Sequence, residues 1–125
     1  VFSLFPGIQE SIIRHVLDAP ELRSIVMRSY GSGNAPQQPW LNKLLYQAAH
    51  RGVVIVNISQ CVAGSVEMSR YDTGYHLKKA GVISGIDSTV EAAVTKLMFL
   101  QGQYSDSNII RNMMCRSIAG EITIE

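Results

Sequence analysis

Charge is scarce in this sequence, and neither sign dominates. Charged residues make up 17% of the 125 positions, with 11 Lys and Arg against 10 Asp and Glu, for a net charge of +1. A nucleic acid or an anionic membrane surface would need a clustered basic field, which such a balance does not supply. Cysteine is rarer still. Cys61 and Cys115 fall in different predicted segments without C-x-x-C or zinc-type spacing, so both are expected as free thiols in a reducing, cytoplasmic setting. No apolar run approaches the roughly 20 residues of a membrane span, and the first residues lack the basic start and apolar stretch of a signal peptide. There is also no complete catalytic set. His15, His50 and His76 lie far apart on predicted helices with no carboxylate or cysteine at ligand spacing, so solvated or helix-end histidines are expected, and neither a metal nor a cofactor.

What is present is a hydrophobic fraction of 46%, enough for one core, so residues 1–125 are read as a single domain. Four segments read as strands: Val1 to Phe5, Ser24 to Ser29, Val53 to Ser59 and Val82 to Gly85. The third is nearly continuously apolar, as in a strand covered on both faces. Helical spacing of apolar residues runs from Ile8 to Leu17 and from Trp40 to Arg51. A short helix is expected after Asp72. Ser88-Thr89-Val90-Glu91 reads as a capping box opening a helix to about Leu100, and Ser105-Asp106 as the start of a last helix from Ser107 to about Ser117. Gly52 and Gly81 stand where helices should turn into strands. The order β-α-β-α-β-α-β-α-α implies an α/β fold: a small parallel four-stranded sheet flanked by helices on both faces, with right-handed crossovers. Because Val1 already belongs to a strand-like run and is not methionine, the chain is expected to be a piece of a longer protein.

Candidate site residues cluster after the strands. Tyr30-Gly31-Ser32-Gly33-Asn34-Ala35-Pro36 follows the second one, where α/β proteins hold ligands and glycine lets backbone approach closely. It has no third glycine opening a helix and no phosphate-loop lysine, so it is either a ligand loop or a plain turn. Arg28, a charge inside a buried strand, requires a carboxylate, a carbonyl or a ligand. Asp72 either caps the following helix or holds an ammonium group. Cys61 ends the most buried strand and is expected as a buried, inert thiol; Met98, Met113 and Met114 are expected in the core. Gln60 to Asp72, without a convincing period, is expected as a long loop.

Several of these blocks share a pattern with a known family. Arg28-Ser29-Tyr30-Gly31-Ser32-Gly33-Asn34-Ala35-Pro36, Val56-Asn57-Ile58-Ser59-Gln60-Cys61, Tyr71-Asp72-Thr73-Gly74, and Ala80-Gly81-Val82-Ile83-Ser84-Gly85 to Ala92, Lys96 and Leu97 resemble the C-terminal domain of type I (cytoplasmic) bacterial L-asparaginases, in order and over nearly the whole chain. The resemblance implies hydrolysis of L-asparagine to aspartate and ammonia by a threonine nucleophile in a larger N-terminal domain, which has no counterpart in this chain. It implies a homodimer or homotetramer in which this domain completes the active site of a neighbouring subunit, so that the fragment alone is inactive. By position it implies substrate contacts from Tyr30, Gly33, Asn34 and Asp72, and an allosteric asparagine site at Arg28 and Cys61. The alternative is an independent small-molecule-binding or oligomerisation module without catalysis.

Overall fold

The computed structural model describes residues 1–31, 33–61, 63–68 and 72–124. Four parallel strands, β1 (Phe2–Ser3), β2 (Ser24–Ser29), β3 (Val54–Ser59) and β4 (Ile83–Ser84), lie side by side in chain order. Between them run α1 (Glu10–Leu17), α2 (Pro39–His50) and α3 (Asp72–Lys79); α4 (Val90–Gln103) and α5 (Ser107–Met114) follow the sheet. The expected class and element order are those observed. The edge strands β1 and β4 are shorter than expected, since each has only one neighbour, but pairing runs on: Leu4 N–H donates to Arg28 O at 2.9 Å and Gly85 N–H to Asn57 O at 2.8 Å.

Crossovers that all step the same way must all lie on one side of the sheet. Accordingly α1, α2 and α3 cover the face carrying Ile25, Met27 and Ile55, with Leu17, Leu45, Ala48 and Leu77 buried between the layers. The opposite face, carrying Val26, Val54, Val56 and Ile58, would be bare without α4 and α5, which bury it under Ala93, Leu97, Leu100, Ile110 and Met114. Every residue of β3 but Ser59 is buried, as its unbroken apolar run requires. Gly52 and Gly81 turn out of their helices with φ of 92° and 96°, a conformation few side chains tolerate.

Helix ends differ in instructive ways. The N-cap of α4 is Thr89 rather than Ser88: its Oγ1 accepts from Ala92 N–H at 3.1 Å, while the Ser88 hydroxyl turns to Thr89 O. Replacing Thr89 with alanine should therefore cost about 1 kcal/mol, read by urea denaturation, and Ser88→Ala should cost little by comparison. The helix runs on to Gln103, past the expected end near Leu100. The last helix begins as expected, with Asp106 Oδ1 accepting from Asn108 N–H at 2.8 Å, but stops at Met114. There Lys96 of α4 donates to Met114 O at 3.2 Å and to Arg116 O, satisfying carbonyls that another helical turn would have used. Met98 is 67% exposed rather than in the core, because it lies on the outward side of α4; Met113 is partly buried and Met114 buried.

Beyond α5 the chain is strapped back over the domain. Lys96 Nζ lies 2.6 Å from Glu121 Oε1, with side chains only 6% and 12% exposed. Glu121 also accepts from the backbone N–H of Ile118 and Ala119. Burial pushes its carboxyl up, but the bonds from Lys96, Ala119 and Ile118 outweigh this and bring it down to about 2. A second tie joins Thr123 to Asp87, whose carboxyl is lowered by the Thr123 hydroxyl and N–H.

Candidate functional site

The loops at the carboxyl ends of β2, β3 and β4 meet on one edge of the sheet. After β2 the chain folds back on itself: Tyr30 N–H donates to Asn34 O at 2.8 Å, and Gly33 and Asn34 N–H both donate to Tyr30 O, at 2.8 and 2.9 Å. Gly31 and Gly33 take φ of 45° and 115°. Only Gly33 is also short of space. A Cβ there would stand 2.9 Å from Val66 Cγ1 and 3.5 Å from Asn57 Nδ2, whereas one on Gly31 would meet nothing within 4 Å. The two glycines thus answer different demands, conformation alone at Gly31 and conformation plus close approach at Gly33.

This loop is held from β3. Asn57 Nδ2 donates to Gly33 O at 3.4 Å, and Ser59 Oγ donates to Gly31 O while accepting from Cys61 N–H at 3.0 Å. Gln60 Nε2 donates to Leu4 O at 2.7 Å and Arg28 O at 3.0 Å, closing the ends of β1 and β2 together. The segment after β3 is fixed in turn by β4, with Val66 N–H donating to Ile86 O and Ser84 Oγ to Val66 O. Ile86 itself sits at φ 58°, an outlier for a β-branched residue. Its strained backbone places the carbonyl that holds Val66, and Val66 is the side chain against which Gly33 is packed.

The sequence-derived candidates divide between the two faces of the sheet. Tyr30 packs against the α1–α3 side and Gly33 is buried. The Tyr30 hydroxyl is covered and without a partner among the described residues, and burial pushes its pKa up. It is therefore a neutral phenol at physiological pH, a donor and not a base. Asn34 is half-buried. Arg28 stands in register with Ser3 and Ile58, two residues from Val26, and so belongs to the other face. The carboxylate considered for it is not found among the described residues; Nη1 donates to Ser3 Oγ at 3.3 Å, and Nε is buried without a partner.

Cys61 corrects the expectation of a buried thiol. The chain leaves the sheet at Gln60, so Cys61 already lies in the loop and is exposed, as is Cys115; both are free thiols. Asp72 stands at the first position of α3; its side chain, like residues 69–71, lies outside the described residues, as does Ser32. His15, His50 and His76 are exposed, each in the last turn of its helix. Among the described residues no group of three His, Cys, Asp or Glu could hold a metal ion, and no helix is long and apolar enough to cross a membrane. A cavity of about 1050 Å³ lies alongside β4, between Glu67, Lys78, Ser84, Asp87, Cys115 and Thr123; Tyr30, Gly33 and Asn34 do not line it.

Asn57 and Ser59 were not singled out from the sequence as site residues, although a signal was there. Asn57 interrupts the apolar run Val53-Val54-Ile55-Val56 just before the strand ends. Lys96 interrupts α4 in the same manner.

The chain matches the family model described as the glutaminase/asparaginase C-terminal domain over residues 1–114. It is 44% identical over 123 residues to L-asparaginase 1 of Escherichia coli strain K12, a match covering 98% of this chain and 36% of that protein. It is 40% identical over 122 residues to the 60 kDa lysophospholipase of Mus musculus, covering 97% and 21%. Among solved structures, L-asparaginase I from Vibrio cholerae superposes with a TM-score of 0.93 at 41% identity, covering 98% of this chain and 37% of that one. The chain thus spans little more than a third of the length of these two asparaginases.

Proposed function

Since the chain belongs to the glutaminase/asparaginase C-terminal domain family, we propose that it is the C-terminal part of an amidohydrolase that converts L-asparagine to L-aspartate and ammonia. The likeness to a protein named L-asparaginase 1 over nearly the whole chain is the observation that carries this reading. In it, a threonine nucleophile outside these residues attacks the side-chain amide, ammonia leaves, and water releases aspartate. This domain contributes no nucleophile. It completes the site of a neighbouring subunit in a cytoplasmic homodimer or homotetramer, offering the backbone at Gly33 together with Tyr30, Asn34 and Asp72. Arg28 and Cys61, on the other side of the sheet and in its outer loop, belong to regulation by a second asparagine. No cofactor takes part.

What supports a role for Tyr30 is its hydroxyl. A buried donor without a partner is destabilised by about 1–3 kcal/mol, which a partner in the assembled enzyme would return. A protonated phenol suits donation to a carboxylate or carbonyl of substrate or of the adjoining subunit. The full-length protein should release ammonia from L-asparagine, whereas residues 1–125 alone should not. Tyr30→Phe in the full-length protein should lower kcat/KM about fivefold, the worth of one hydrogen bond, with little change in fold. Absence of ammonia release by the full-length protein would sink the reading. The likeness to a lysophospholipase makes a lysophospholipid the control substrate, and turnover of that instead would move the substrate class.

A further inference from the structure

We propose that Asn57 is a positioning residue, which with Ser59 sets the placement of the Tyr30, Gly31, Gly33 and Asn34 backbone for substrate binding; the kinetic part of this rests on the amidohydrolase reading above. Asn57 is completely buried near the carboxyl end of β3, in register with Met27 on one side and Ser84 on the other. On that face Met27 and Ile55 are apolar, while the Ser84 and Ser59 hydroxyls are spent on Val66 O and Gly31 O. An amide there loses its hydration, and its Oδ1 finds no partner among the described residues. What the residue gains among the described residues is one bond, from Nδ2 to Gly33 O. Gly33 is at the same time the glycine of this loop with little room for a Cβ, because Val66 Cγ1 would stand 2.9 Å from it. Two carbonyls of one loop are thus taken by two side chains of one strand, Gly33 O by Asn57 and Gly31 O by Ser59. A strand in a sheet is the stiffest platform available for such a task, and a polar group kept in a core at the expense of stability points to placement rather than to folding.

The test is made in the full-length protein with Asn57→Leu, an apolar side chain of similar shape. Removing a half-satisfied buried polar group should leave the melting temperature unchanged or higher. The amides of Gly33 and Asn34 should exchange with solvent about tenfold faster while those within β3 do not, since only the loop loses an anchor. KM for L-asparagine should rise about tenfold with kcat nearly unchanged, because a displaced loop weakens bound substrate and transition state alike. A residue needed only for folding would give the opposite pattern, a lower melting temperature with exchange raised throughout the domain. A folded Asn57→Leu protein with unchanged exchange at Gly33 and Asn34 overturns the inference. If that variant fails to fold, Ser59→Ala, at the margin of the sheet, removes the second anchor and should raise exchange at the same amides; no rise would overturn it equally. Loss of the amidohydrolase reading is a separate outcome. It would appear as no ammonia release by the unsubstituted protein, with the exchange result still deciding the role of Asn57.

Discussion

Replacing Glu121 with glutamine should destabilise the domain by about 3 kcal/mol at pH 7, at the lower end of what opening a buried ion pair costs. The lower end applies because Lys96 keeps its two carbonyl acceptors and glutamine retains an acceptor for the backbone N–H groups of Ile118 and Ala119. The dependence on pH has a definite sign. The carboxyl of Glu121 is held at about 2 in the folded chain against an ordinary 4.5, so the folded state favours the ionised form. Its stabilisation is complete above pH 4.5 and is lost as the pH falls toward 2, where both states bind the proton. Urea denaturation of the two proteins should show a gap that is constant from pH 7 to about 5 and closes on further acidification. A gap independent of pH would mean that glutamine acts through shape and not through charge.

The second large effect is expected at Gly33. Alanine there is strained at φ 115° and must push Val66 Cγ1 back from 2.9 Å. Strain and overpacking together should cost about 2–4 kcal/mol. Gly31 provides an internal control, because at φ 45° alanine meets no atom within 4 Å, and only conformational strain of about 1 kcal/mol remains. In the full-length protein, Gly33→Ala should lower kcat/KM by about 100-fold and Gly31→Ala by less than about tenfold, since a misplacement near 1 Å at a site is worth that much. Equal losses in the two variants would show that conformation alone, and not the approach to Val66, governs the loop.

Much of this architecture is legible in the residues. The continuous apolar run of β3, the helical spacing in α1 and α2, and Gly52 and Gly81 at the turns each carry a local signal, and the structure follows them. What escapes the sequence is set by contacts between distant residues. The early end of α5 depends on a lysine of α4, and nothing near Met114 announces it. Cys61 reads as buried because it adjoins a buried strand, yet one residue decides whether a side chain belongs to the sheet or to the loop leaving it. The edge strands shrink because a neighbour exists on one side alone. At the site, Gly31 and Gly33 are visible as turn glycines, but only packing against Val66 separates them. Arg28 and Tyr30, two residues apart, would share a face if the strand ran on; the turn that begins at Tyr30 after β2 ends at Ser29 sends Tyr30 to the other side.

Strand order that matches chain order bears on how the molecule is born. Each new strand can dock on the edge left by its predecessor as it emerges from the ribosome, and no early strand waits for a late one to be inserted beside it. The exception is the face built from Val26, Val54, Val56 and Ile58, whose cover comes last, from α4 and α5. Until those helices emerge, the nascent sheet carries a greasy, unroofed side, the kind of surface that chaperones hold and that aggregates when synthesis stalls.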